Sequence, residues 1–223
     1  MPTKTPKKSK SKIATRPLLI GITAAALALL TSVASFNQLR GEKVIEVIDG
    51  DTYRIENRQI VRLYSIDAPD VDVCMGQEAK EKLSSLILGK RITLQNIRSG
   101  GFNRVMGYAY VDGKSVETEM MKGGYAVLTR GTKELPELLE SSTYARQKKL
   151  GVFSDACYQM ENKVNPKCNV KGNIGETKQD RYYFTPSCPN YTQTVVWTSF
   201  GDRWFCTEKD AVEAGFVKGT KCK

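Results

Sequence analysis

Between residues 44 and 111 apolar and polar positions alternate in short runs, the period-two pattern of half-buried strands. Val44–Ile48 and Thr52–Glu56 flank Asp49-Gly50, Asn57-Arg58 turns the chain into Gln59–Ile66, and Arg91–Ile97 and Val105–Val111 follow. The last run ends at Asp112-Gly113, a hairpin-type turn. Elsewhere the period lengthens. From about Gln77, Ala79, Leu83, Leu86 and Ile87 recur at i, i+4, i+7 and i+8, and Gly89 stops this helix. A short helix from Ser115 to Lys122 ends at Gly123-Gly124. A longer one, opened by Pro136, places Leu135, Leu138, Leu139, Ser142 and Ala145 on one face and runs to Gly151.

Five strands with helices inserted between them predict an α+β domain: a five-stranded OB-type β-barrel with three helices packed outside. The periodicity ends near residue 155, where Asp155-Ala156-Cys157 leads into a polar stretch with Pro, Asn and Gly. The reading therefore divides the chain into a leader over 1–40, a main domain over 42–155, a linker over 156–167 and a small C-terminal module over 168–223. In the module, Tyr182, Tyr183 and Trp204 are either stacking surfaces or the core of a unit too small to hold without disulfides. A helix over Thr207–Gly215 carries Thr207 and Asp210 in capping-box positions.

Charge changes the picture only after it is located. The formal net charge is +10, but residues 1–40 hold seven basic residues and no acidic one, which leaves 27 basic against 24 acidic beyond them. The Lys-rich head precedes an uncharged run from Pro17 to Gln38, apolar at Leu18–Leu30, and then Ser32-Val33-Ala34. That order is an export signal with a small-x-small cleavage site after Ala34, or an uncleaved membrane anchor over 17–38. Either way the rest of the chain is expected outside the cytoplasm: secreted or periplasmic, or held at the membrane with the main domain outside. Six cysteines (Cys74, Cys157, Cys168, Cys188, Cys206 and Cys222) follow the leader and predict disulfides, with 15 possible pairings.

The chain contains no histidine, which excludes Ser-His-Asp and Cys-His nucleophiles, His-ligated zinc and a histidine general base. Three segments offer other chemistry: Asp49-Gly50-Asp51-Thr52, Arg62 through Asp70, and Asn103-Arg104 at the head of a strand. A phosphodiester under attack gains charge on its equatorial oxygens, and needs a bridging cation, fixed guanidinium donors and a base for water. Asp51 and Asp67 can hold a hard divalent ion, Arg62 and Arg104 can fork onto phosphate, and Asp70 can take the proton of water.

These segments, VIDGDTYRI, VRLYSIDAPD, GQEAKEKL, NRVMGYAYVDG, Gly123-Gly124-Tyr125-Ala126 and Tyr144-Ala145-Arg146 before Leu150-Gly151-Val152-Phe153, closely resemble the staphylococcal-nuclease-like (thermonuclease) family in order and spacing over about 44–154. The resemblance implies calcium-dependent hydrolysis of DNA and RNA, most simply of single-stranded or unstructured substrate, by a monomer. It implies metal carboxylates at Asp51 and Asp67, a metal-facing backbone carbonyl at Ala68, catalytic arginines at Arg62 and Arg104, and a catalytic carboxylate at Asp70.

The chain departs from that pattern where the family has glutamate and this sequence has Asp70, a carboxylate withdrawn by roughly 1–1.5 Å. Gly100-Gly101-Phe102-Asn103 also stands before Arg104 where the family has Asp-x-Tyr-Gly, and the base-stacking tyrosines are replaced around Thr129-Arg130. Two other readings stay open: a catalytically weak or inactive OB-fold nucleic-acid-binding protein, and a Pro-Asp…Glu-x-Lys nuclease built on Pro69-Asp70 and Glu78-Ala79-Lys80. One geometric requirement stands out. Arg62 and Asp67 in a single straight strand would face opposite ways about 16 Å apart, so a shared site demands a bend between Leu63 and Asp67.

Overall fold

The structure, a computed structural model, describes residues 1, 38–129, 135–175 and 179–222. Strand β1 (Gln38–Val47) pairs antiparallel with β2 (Thr52–Ile55), and β2 with β3 (Ile60–Leu63). The chain then breaks before the two-residue β4 (Ile66–Asp67) and enters helix α1 (Gly76–Ile87). Strands β5 (Arg91–Ser99), β6 (Arg104–Val111) and β7 (Lys114–Ser115) follow. β5 pairs with β1, β6 with β5, and β3 with β6 in parallel, so five strands form a closed ring of pairings with β7 appended to β6. This is an OB-type arrangement of sheet and helices. Helix α2 (Val116–Lys122) is capped by the Ser115 hydroxyl, which accepts from the Thr118 N–H at 3.2 Å. Strand β8 (Val127–Leu128) pairs with β4, and helix α3 (Pro136–Gln147) closes this part of the chain.

The predicted alternation holds because it is written by burial: Val61 and Leu63 of β3 are in the core while Ile60 and Arg62 are only partly covered. Ala79, Leu83 and Ile87 of α1 are fully buried against Val44, Val47, Leu94 and Leu138. Each large aliphatic side chain so buried contributes about 1.5–3 kcal/mol. Two expectations shift. Leu139, read as part of the inner face of α3, is 52% exposed, and Ser141 takes the buried place beside Leu138, Ser142 and Ala145. The helix also ends at Gln147; Gly151, read as its end, starts a separate 3-10 turn over Gly151–Phe153.

Beyond residue 155 the chain is more structured than its polar composition suggests. β9 (Tyr158–Gln159), within the segment read as linker, pairs with β12 (Val196–Trp197). Strands β10 (Val170–Ile174), β11 (Arg181–Phe184), β13 (Arg203–Phe205) and β14 (Val217–Lys218) form a small sheet in the order β13-β10-β11-β14. Helix α4 (Glu208–Glu213) lies between β13 and β14, and its capping box at Thr207 and Asp210 is present as the sequence predicts. Val170, Tyr183, Phe205, Ala211 and Phe216 make the module's core, so Tyr183 is a packing residue.

Three disulfides select one pairing of the 15: Cys74–Cys157, Cys168–Cys206 and Cys188–Cys222. The first ties the loop before α1 to the start of the segment read as linker. A second tie is Trp197, whose indole N–H donates to the Val152 carbonyl at 2.7 Å and whose ring packs on Phe153. Three disulfides fit an oxidising location. Of the run over 17–38 read as signal or anchor, residues 17–37 lie outside the described residues, and Gln38 is in β1. Among the described residues no helix is long and apolar enough to cross a membrane.

Candidate active site

The turn Asp49-Gly50-Asp51 is seated by close approach. A Cβ on Gly50 would lie 2.7 Å from both the Ala68 and Ala79 methyls, so only glycine lets the turn settle against α1 and the segment after β4. That seating buries Asp51 almost completely, at 1% exposure. Its carboxylate accepts from the Thr52 hydroxyl at 2.8 Å and from the Ala68 N–H at 2.9 Å. Arg62 supplies the third partner: one guanidinium nitrogen donates to Asp51 Oδ1 and the other to Asp67 Oδ1.

The second of those bonds requires the bend. β3 stops at Leu63, and Ser65 adopts φ +68°, a left-handed conformation uncommon outside glycine. The Ser65 hydroxyl, buried, is within 2.9 Å of the Tyr108 hydroxyl, which anchors the turn to β6. Asp67 thereby comes round onto the side of the sheet that carries Arg62.

Burial is the main influence on Asp51 and pushes its carboxyl up to about 7, while the Arg62 charge and the Ala68 N–H act in the opposite direction. One arginine is thus shared between two acids, so the cluster holds more carboxylates than guanidinium groups. The oxygens that could hold a hard cation here are the carboxylates of Asp51 and Asp67 and the backbone carbonyl of Ala68. Among the described residues no group of three or more His, Cys, Asp or Glu gathers to hold a metal.

Arg104 begins β6 and is exposed. In the parallel pairing of β3 with β6, Ile60 lies opposite Arg104 and Arg62 opposite Met106. Arg62 and Arg104 therefore share the outward face one diagonal step apart, roughly 7–8 Å between backbones. Met106 also lies opposite Arg98 of β5, so Arg98 joins the same row, its guanidinium 4.9 Å from the Tyr64 ring centroid. Sequence reasoning missed Arg98, because the shift in β5–β6 register between Gln95 and Arg98 that aligns it leaves no mark in the residue pattern.

Asp70 lies three residues beyond Asp67, exposed, at the mouth of a tight turn. Its carbonyl accepts from the Val73 N–H at 3.2 Å, and a Cβ on Gly76 would come within 1.8 Å of that oxygen. Glycine at 76 is thus what allows α1 to start directly behind Asp70. The structure therefore joins Asp51, Arg62, Asp67 and Ala68 by direct contacts, sets Arg104 on the same face as Arg62, and holds Asp70 on the adjoining turn.

Carboxylates and arginines on an OB-type fold define a hydrolase of the nuclease class, and comparison with known proteins agrees. The family described as staphylococcal nuclease homologue matches residues 60–155. An uncharacterized endonuclease of Escherichia coli is 33% identical over 118 residues, covering 51% of this chain and 77% of that protein. The micrococcal nuclease of Shigella flexneri is 30% identical over 146 residues, 59% of this chain and 83% of that protein. An uncharacterized endonuclease of Haemophilus influenzae is 30% identical over 117 residues, 51% and 66% of the two chains. The chain belongs to the staphylococcal nuclease homologue family. As such it is an endonuclease, a hydrolase.

Proposed function

We propose that this chain is an exported, calcium-dependent endonuclease that hydrolyses phosphodiester bonds of unpaired DNA and RNA as a monomer, on a five-stranded OB-type barrel. The observation that carries this reading is the two-headed contact of Arg62 with Asp51 and Asp67. A nucleic-acid-binding surface has no use for two acids that repel phosphate. A hydrolytic site does, because they can hold a cation where the scissile phosphate arrives.

Asp51, Asp67 and the Ala68 carbonyl are the residues that would hold calcium. When bound, calcium supplies positive charge to the phosphate oxygens and to the attacking water. The remaining steps belong to this chain. Arg62, exchanging part of its carboxylate contacts for phosphate, and Arg104, one diagonal step away, donate to the equatorial oxygens as their charge grows. Asp70, exposed on the turn beside them, accepts the proton of the attacking water.

Export is supported by the three disulfides. The test is cleavage of a single-stranded DNA and an RNA by the purified protein with calcium, with chelator, and after Arg62→Ala. Cleavage that stops in chelator and falls about 10²–10³-fold in the variant is expected. Undiminished cleavage in chelator would remove the metal, and tight binding without cleavage would leave a binding protein.

A further inference from the structure

We infer that the C-terminal module completes the substrate cleft, in a groove that receives unpaired nucleotides flanking the scissile phosphate. The inference rests on the nuclease reading above and extends it to residues beyond the family-matched segment, which ends at 155. The groove has a volume of about 840 Å³. Its lining joins Asp67, Thr129 and Arg146 of the main domain to Ile174, Trp197 and Phe200 of the module, with the Arg146 guanidinium 5.9 Å from the Trp197 ring centroid. Asp67 belongs both to the groove and to the Arg62 cluster, so a strand lying in the groove leads directly to a phosphate held at Arg62.

The walls suit nucleobases. Trp197 is fixed by its bond to the Val152 carbonyl and meets Phe200 edge-on at 4.9 Å between ring centroids. Arg146 sits over a ring, its guanidinium 4.5 Å from the Phe153 ring centroid and 5.9 Å from that of Trp197, so it is placed before any ligand arrives. Aromatic and guanidinium planes stack any base without reading its edge, but only a base whose face is uncovered. In a duplex both faces are taken by neighbouring bases. The volume also falls within the range of about 300–1,000 Å³ that encloses single small ligands, which suits a few splayed nucleotides and not a double helix. Of the aromatics that the sequence offered for stacking, Tyr183 is buried in the module's core and Trp204 donates to Gln159 at 2.6 Å; Trp197 and Phe200, which line the cleft, were not among them.

The test is Phe200→Ala, with Phe200→Trp as its rescue and thermal melting of both as a check on folding. Steady-state cleavage is measured on a thymidine dinucleotide and a thymidine octanucleotide, and binding of fluorescein-labelled octanucleotide is measured in chelator. Phe200→Ala is expected to raise KM and Kd for the octanucleotide about tenfold, the loss of one stacked base, with kcat and the dinucleotide KM unchanged. Phe200→Trp should restore wild-type values. Equal changes for both lengths, or no change in either, in a protein that cleaves would overturn the groove and leave the nuclease reading standing. A protein that binds the octanucleotide through Phe200 yet cleaves nothing would uphold the groove and overturn that reading.

Discussion

Arg62 and Asp67 are ion-paired although five residues apart on the chain, because the backbone reverses its facing at Ser65 between them. The same guanidinium reaches Asp51 on the preceding turn, so one side chain sets the spacing of both acids. The site depends on a single left-handed residue.

Ser65→Val therefore tests the bend. A β-branched side chain at φ +68° is strained, and the substitution also strips the buried Tyr108 hydroxyl of its partner. Loss of about 3 kcal/mol in urea denaturation is expected, together with a large fall in cleavage. Ser65→Gly, which accepts that φ freely, should keep most of the activity; a Gly variant as inactive as Val would mean that the hydroxyl, not the bend, is what matters.

Asp70→Glu lengthens the side chain by one methylene, about 1.5 Å, toward the family's usual reach. Because misplacement of about 1 Å can cost 10²-fold, kcat is expected to rise by up to that factor with KM little altered. A fall in kcat would show a site adjusted around aspartate.

Glu117 carries a separate pH dependence. It is fully buried at the start of α2 and accepts from the Ala109 N–H at 2.9 Å, and burial pushes its carboxyl up to about 8. Folding thus favours the protonated form: the stability it contributes is full below about pH 4.5, is lost as pH rises, and is gone above about 8. Glu117→Gln should abolish that decline and leave the variant more stable than the wild type at pH 9 by an amount on the order of a few kcal/mol. Parallel stability curves for the two proteins between pH 5 and 9 would contradict it.

The Cys74–Cys157 disulfide joins residues 83 apart and starts four residues after Asp70. Closing a loop of that length restricts the unfolded chain by about 4–5 kcal/mol. Cys74→Ser with Cys157→Ser is expected to lower the melting temperature markedly and to reduce kcat, since the Asp70 turn loses its far anchor. Loss of stability with kcat intact, measured well below the melting temperature, would confine the bridge to a structural role.

Much of this was legible in the residues. Val61 and Leu63 against Arg62, or Ala79, Leu83 and Ile87 along α1, announce their elements because burial of alternate or every third and fourth position is a local property. Asp51, Arg62 and Asp67 were legible as chemistry for a similar reason: with no histidine present, carboxylate and guanidinium are the groups left to handle phosphate. Leu139 points outward because the buried face of α3 runs through Leu138, Ser141, Ser142 and Ala145, and apolarity alone does not say which of two adjacent leucines lies on it.

What the sequence determined by itself is the order of the main domain's principal strands and helices, the family and the inventory of acids and arginines, all set by residues near one another in the chain. Tertiary structure decided the rest: which cysteine meets which, that Arg62 grips Asp51 and Asp67 together, and that Trp197 and Phe200 line one groove with Arg146. Those relations join positions from five to more than eighty residues apart. They depend on where the backbone turns and on how two surfaces pack, quantities that no local pattern encodes.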